Sequence, residues 1–236
     1  MSVFSGPEIV DSLGFCVDFS NLNSISGTTL TDLSTNKIPI VLTNSGDGTL
    51  SITNGYAVFS PSTLTSSATY YTISNSYFNN IKNEMTLETC MYATSNLGPN
   101  GQYVRGVSPR TTETSSPLGF SISEPGINYE VNTTTGWLTG YSSSSLAGLN
   151  KWVYVTQTTS VTENTFKTYL NGNLVGTISL AGSTPNGGNG ILIGRGFYGG
   201  IANYAGRVSF VRVYNRALSV SEIQQNFNAL RSRYAL

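Results

Sequence analysis

Ten consecutive residues restrict what this chain can fold into more than any others: Phe166-Lys167-Thr168-Tyr169-Leu170-Asn171-Gly172-Asn173-Leu174-Val175. Two β-prone runs flank an Asn-Gly pair. A tight type I′ turn needs positive φ at both central residues, which Asn and Gly tolerate best, so the segment predicts a two-residue β-hairpin. From Phe15 to Tyr214 the chain repeats this texture: short runs of Val, Ile, Tyr, Phe and Thr, cut by Gly, Asn, Ser or Pro clusters. Punctuation every 8 to 12 residues or so is that of antiparallel β structure. Strands are predicted at Phe15–Phe19, Met85–Tyr92, Tyr103–Val107, Trp152–Thr158, Thr165–Leu170, Asn173–Ile178, Ile191–Ile193 and Gly206–Tyr214.

One segment reads differently. Ser219-Val220-Ser221-Glu222 has capping-box spacing, and Ile223, Phe227, Leu230 and Tyr234 recur at helical intervals, so one amphipathic C-terminal helix is expected to pack on the β structure. Arg231 and Arg233 suit its negative pole. With 236 residues and no long linker, the reading is a single domain over residues 13–236, preceded by a possible arm at residues 1–12. The loop-like stretches Ser60–Ser67, Thr111–Pro117, Ser142–Ser145 and Ala181–Gly190 are internal.

Charge excludes several function classes. Twelve Lys and Arg balance twelve Asp and Glu, so no field of either sign is available to gather nucleic acid or anionic lipid, and neither is expected as a partner. Ser, Thr and Asn supply 84 residues, so solubility comes from neutral hydrogen-bonding groups, a composition familiar in extracellular and virion proteins. The start of the chain shows no basic and apolar export signal, and no apolar run is long enough to span a membrane. Synthesis in a host cytoplasm and release with a virus particle would reconcile the two observations. Cys16 and Cys90 sit in apolar strand-like runs and read as buried free thiols, with a disulfide as the alternative.

The absence of histidine removes Ser-His-Asp and Cys-His catalysis and His-ligated zinc, and two cysteines cannot build a structural zinc site. Glu84 and Glu88 are four residues apart on a predicted strand, about 13 Å, beyond the roughly 5 to 9.5 Å of glycosidase carboxylate pairs. Glu84 is then a turn residue, and Glu88 faces solvent or a cross-strand partner. A pair assembled from distant segments, such as Glu124 with Glu130, stays open. Gly194-Arg195-Gly196-Phe197-Tyr198-Gly199 satisfies G-x-G-x-x-G, yet the chain leads into another strand with no acidic residue about 20 positions on, so the glycines read as a loop at a sheet edge.

The final third carries a resemblance. Lys151-Trp152-Val153-Tyr154-Val155-Thr156, Tyr169-Leu170-Asn171-Gly172, Ile191-Leu192-Ile193-Gly194, and Val211-Arg212-Val213-Tyr214-Asn215-Arg216-Ala217-Leu218-Ser219 with Glu222-Ile223 resemble, in order and spacing, the laminin G-like, concanavalin A-like lectin/glucanase superfamily. Gly6-Pro7-Glu8-Ile9-Val10, Gly14-Phe15-Cys16-Val17-Asp18, Gly27-Thr28-Thr29-Leu30-Thr31-Asp32-Leu33-Ser34 and Met85-Thr86-Leu87-Glu88-Thr89 look like the version found in tailed-bacteriophage virion proteins. The resemblance implies an all-β, two-sheet antiparallel jelly-roll sandwich with the C-terminal helix laid on it. Trp152, at the start of a strand whose alternate residues fill the space between sheets, is assigned to the core. The Glu-x-Asp-x-x-Glu cluster of the superfamily's glucanases is missing, which argues against an enzyme. Calcium is common among relatives, but all four Asp precede position 48, leaving Asp18, Asp32 and Asp47 as weak ligands, so no cofactor is assigned.

What remains is a binding or assembly surface. Trp137, Tyr141, Phe197, Tyr198, Asn203 and Tyr204 lie in Gly-rich surroundings and are the candidate ligand residues, since sugar recognition combines aromatic faces with hydrogen-bonding side chains. The same rings would serve equally in a core or a subunit contact; Arg105 and Arg110 fit either surface. The reading is a non-catalytic display protein of a phage virion, a capsid decoration or fibre-associated module on the virion surface, touching capsid or tail proteins as a homo-oligomer. A carbohydrate-binding adhesin is the alternative, and a glucanase-like hydrolase the third.

Overall fold

The computed structural model describes residues 8–44, 48–61, 69–95, 105–109, 118–123, 126–197 and 201–236. In chain order the strands are β1 (Leu13–Asp18), β2 (Ile25–Ser26), β3 (Thr29–Leu30), β4 (Val41–Thr43), β5 (Thr49–Thr53), β6 (Tyr56–Ser60) and β7 (Tyr70–Ser74). After a one-turn helix α1 (Tyr77–Asn80) come β8 (Glu84–Ala93), β9 (Val107–Ser108), β10 (Gly119–Ser123), β11 (Gly126–Thr133), β12 (Gly136–Ser142), β13 (Trp152–Ser160), β14 (Thr165–Leu170) and β15 (Asn173–Ser179). The last strands are β16 (Gly190–Ile193), β17 (Arg195–Phe197), β18 (Ile201–Asn203) and β19 (Gly206–Tyr214), followed by α2 (Val220–Leu230) and a 3-10 turn at Arg231–Tyr234.

One large antiparallel sheet runs β15-β14-β13-β8-β19-β6-β5, with β1 also paired to β19. Facing it are the smaller antiparallel sheets β10-β11-β12 and β4-β7-β16-β9. Alternate residues of both layers meet in one continuous core: Phe15, Leu87, Met91, Val153, Val155, Phe166, Val211 and Val213 from the large sheet, and Tyr71, Ile73, Phe120, Ile127, Tyr129, Val131 and Ile191 from the others. This is the expected two-layer jelly-roll. The Asn-Gly hairpin forms as the sequence dictates, with φ of 48° at Asn171 and 74° at Gly172, and the Asn171 side chain further accepts the Tyr154 backbone N–H at 2.9 Å. The described part of the Gly194-to-Gly199 run is not the expected loop: Arg195–Phe197 is strand β17, paired antiparallel with β18.

Trp152 is a correction. Val153 and Val155 point into the inter-sheet core, so Trp152 and Tyr154 point out of the opposite face. There Trp152 stands half-buried among Tyr56, Tyr92 and Tyr234, with ring centroids at 5.4, 5.7 and 5.1 Å. The outer face is apolar because α2 and the segment after it cover it: Ile223 packs on Tyr169 and Tyr214, and Leu230 and Tyr234 pack on Cys90, Tyr154 and Phe210. A strand buried on both faces shows no hydrophobic alternation, so sequence alone could not assign Trp152 a side.

The helix begins where the capping box places it. Ser219 N donates to Glu222 Oε2 at 2.8 Å, and Glu222 N donates to Ser219 Oγ at 3.4 Å. Arg216 grips the same carboxylate at 2.7 and 2.8 Å, and its hydrogen bonds hold Glu222 down to about 2. Ser219→Ala is expected to cost about 1 kcal/mol; an unchanged midpoint in chemical denaturation would show that the cap does not hold the helix.

Candidate functional site

Strand β12 is an edge of its sheet, and strand alternation sorts its residues. Leu138 turns toward the core, while Trp137, Thr139 and Tyr141 turn outward; Trp137 is 43% and Tyr141 52% exposed. Register sets their neighbours: Asn132 lies opposite Trp137, Glu130 opposite Thr139 and Asn128 opposite Tyr141 on β11, with Gly119 and Ser121 beyond on β10. Two aromatic rings therefore share one face with a ladder of amide, carboxylate and hydroxyl groups. A groove of about 320 Å³ lies over this ladder, lined by Arg105, Ser121, Asn128, Glu130, Thr139 and Tyr141 together with Tyr129 and Gly140.

The floor is rigid for identifiable reasons. Tyr129 is wedged between β12 and β15, where a Cβ at Gly140 would come within 2.3 Å of its ring and one at Gly176 within 2.2 Å, so only glycine allows that approach. Buried Gln157 of β13 reaches across the layers and donates to the Gly119 carbonyl at 3.0 Å, tying β10 to the large sheet. At one end Asn186 donates to Asn132 Oδ1 at 3.0 Å. Arg105 Nη2 meets Glu130 Oε1 at 2.6 Å in the middle of the groove, their side chains 3% and 11% exposed. Such a closed pair presents polar atoms without net charge.

Of the six candidate ligand residues, the structure brings Trp137 and Tyr141 together. Phe197 lies on β17, away from β12 in sequence and sheet, and Tyr198 lies outside the described residues. Asn203 and Tyr204 are corrections: they are 0% and 1% exposed, and Tyr204 fills the core against Phe59 at 6.3 Å. The chain turns there from β18 into β19, which carries both side chains inward although their Gly-rich context suggested a loop surface. Arg105 joins the groove, and Arg110 and Glu124 lie outside the described residues. Sequence reasoning missed Ser121, Asn128, Asn132 and Thr139. The alternation Ile127-x-Tyr129-x-Val131 carried the available signal for the middle strand.

Glu88 is the centre of a second cluster of note. Of the two alternatives, solvent or a cross-strand partner, the second holds: Glu88 is fully buried between the large sheet and α2, opposite Thr156 on β13 and Arg212 on β19. Asn226 Nδ2 donates to it at 3.0 Å, and the Tyr214 hydroxyl and Thr156 Oγ1 stand at 3.4 Å. Burial pushes its carboxyl up to about 7, against the pull of Arg212 and of hydrogen bonds from Asn226 and Tyr214. Arg212 in turn binds Glu8 at 2.6 Å, and Ile9 N donates to Asn226 Oδ1 at 2.7 Å. The cluster clamps the segment at Glu8 and Ile9, and helix α2, to the sheet. Glu84 is spent on Ser160 Oγ at 3.2 Å and Thr162 N at 2.9 Å.

Of the three aspartates weighed as calcium ligands, the two described are engaged by the protein's own donors. Asp18 accepts from Ser20 and pairs with Arg233 at 3.1 Å, while Asp32 accepts N–H groups of Cys16, Ser34 and Ile38 at 2.9 Å and the Ser34 hydroxyl at 2.8 Å. Asp47 lies outside the described residues, among which no group of three His, Cys, Asp or Glu is placed to hold a metal. Both cysteines are free and buried, and burial raises both thiols, Cys16 to about 11.

Comparison with known proteins follows the architecture. No curated protein matches the sequence. The receptor-binding domain of botulinum neurotoxin C/D mosaic serotype superposes with a TM-score of 0.67 at 15% identity, over 93% of this chain and 51% of that one. The binding domain of botulinum neurotoxin DC in complex with SialylT gives 0.67 at 16%, over 93% and 52%. Domain 4 of AbnA, a GH43 extracellular arabinanase from Geobacillus stearothermophilus, in complex with arabinotriose, gives 0.67 at 14%, over 91% and 98%. The chain thus spans about half the length of the toxin binding domains, and at these identities the likeness is one of fold. The family Laminin_G_3, of the concanavalin A-like lectin/glucanases superfamily, matches residues 64–224, more than half of the 236 residues. By its sequence match and its two-layer architecture, the chain belongs to the concanavalin A-like lectin/glucanase superfamily.

Proposed function

We propose that this chain is a non-catalytic carbohydrate-binding module that holds a glycan against the outward face of β10, β11 and β12. The observation that carries the reading is the exposure of Trp137 and Tyr141 on one strand face beside Asn128, Thr139 and the Arg105–Glu130 pair. Sugar rings offer an apolar C–H face and a rim of hydroxyls; aromatic platforms beside neutral hydrogen-bonding groups complement both. Sugar complexes of two proteins of like fold, one with SialylT and one with arabinotriose, support it by analogy. Holding rather than cleaving is the chemistry offered: glycoside hydrolysis needs two carboxyl groups across the bond. Among the described groove residues Glu130 is the one carboxylate, and Arg105 is bound to it.

Glycan-array binding of the wild-type chain and of the Trp137→Ala, Tyr141→Ala double variant tests this. Binding should be present in the first and lost in the second, with circular dichroism unchanged because both rings are exposed. A blank array, or binding that survives the double substitution, refutes it. The wider setting we propose is display on a virion surface, as an oligomer in contact with capsid or tail proteins. It is supported by the N-terminal run from Gly6 to Ser34 and by the Ser, Thr and Asn-rich composition. Imaged particles with no density for this chain would remove that setting and leave the glycan reading intact.

A further inference from the structure

The same face constrains the kind of glycan it takes, an inference that rests on the carbohydrate-binding reading. Trp137, Thr139 and Tyr141 occupy alternate positions of β12, so neighbouring rungs are roughly 6.6 Å apart and the two aromatic positions roughly 13 Å apart. A single sugar ring covers no more than one rung. A ligand that engages both aromatics must be a chain laid along the strand, its middle over Thr139 and Glu130.

Charge supplies the second constraint. Arg105 and Glu130 are the charged side chains among the described lining residues, and they are closed on each other at 2.6 Å with little exposure. A sialate or uronate needs an unmatched cation, and desolvating its carboxylate beside a neutralised pair is costly. The whole chain has a formal net charge of zero, so no long-range attraction compensates. The amide and hydroxyl groups of Asn128, Thr139 and Ser121 suit the hydroxyls of a neutral sugar.

We infer that the β10–β12 face selects a neutral, linear oligosaccharide longer than a disaccharide, bound along β12 with Trp137 and Tyr141 under two separated sugar units. Two glycan classes appear among the complexes of like fold, and the groove of this chain matches the neutral one.

Titration calorimetry of the full chain tests this with arabino-, xylo-, cello- and malto-oligosaccharides of increasing length, and with sialyllactose and oligogalacturonates as acidic probes, at low and high salt. In the best-bound neutral series, affinity should rise about tenfold or more beyond the disaccharide until both rings are reached, then level off. Trp137→Ala and Tyr141→Ala should each abolish that rise, and salt should leave it unchanged. Two outcomes overturn the inference while leaving a glycan-binding face in place: acidic probes binding tenfold tighter than neutral ones with salt-sensitive affinity, or a disaccharide binding as tightly as any longer chain. Failure of the underlying reading looks different, because then no probe of either class binds, or binding persists when both aromatics are removed, and the inference falls with it.

Discussion

Replacing Arg212 by methionine should lower the unfolding free energy at pH 8 by about 3–5 kcal/mol, the usual consequence of stranding a buried charge. Arg212 is buried between the large sheet and the N-terminal segment, where it binds Glu8 at 2.6 Å and stabilises the ionised form of Glu88. Without it, Glu88 must stay protonated or carry an uncompensated charge. At pH 5 Glu88 is already protonated in the native protein, so the loss there should be smaller. Adding Glu88→Gln to the variant should recover part of the loss at pH 8 and little at pH 5. Equal losses at both pH values would mean that packing, and not the charge of Glu88, sets the penalty.

The second large effect is a stability that falls as pH rises. The Glu88 carboxyl moves from an ordinary 4.5 to about 7 on folding. A raised folded value means that the native state holds the proton longer, so its stabilising contribution is complete below 4.5 and lost through 7. At 1.36 kcal/mol per unit the loss comes to about 3 kcal/mol. The window is unusually clean: the chain has no histidine, Asp18 is held below its ordinary range by its hydrogen bonds with Ser20 and its contact with Arg233, and Glu222 sits at about 2. Guanidinium unfolding at pH 5 and pH 8 should show the decline in the wild type and a nearly flat response in Glu88→Gln. A wild type equally stable at both would show that Glu88 does not change protonation in this range.

The parts of the fold that were legible in the sequence are those fixed by local chemistry. Asn171-Gly172 specifies a turn by backbone sterics, Ser219 and Glu222 specify a helix start by reciprocal hydrogen bonds, and β8, β13, β14 and β19 are dense in β-branched and aromatic residues. Asn54-Gly55 carries the same turn signal between β5 and β6, with φ of 51° and 81°, and sequence reading passed over it because its flanking runs are short. The sheet that forms the groove was harder to see. Apart from Trp137 and Tyr141, its outward positions are Gly, Asn, Glu, Thr and Ser, several of them poor strand formers, and the inward positions Phe120, Ile122, Ile127, Tyr129 and Val131 reveal themselves only by period-two alternation. Trp137 and Tyr141 could be picked out because large aromatics stand out in a Gly- and Ser-rich stretch. Arg105 and Glu130 are 25 residues apart, and nothing local to either announces their pairing.

The clamp around Arg212 and Asn226 places Glu8 and Ile9 on the outer side of the large sheet, and Tyr234 and Leu236 pack on that side as well. The groove opens on the far side of the opposite layer. A bead, dye or carrier attached through Leu236 would therefore leave the aromatic ladder facing away from the attachment, so immobilised chain should capture ligand as freely as chain in solution.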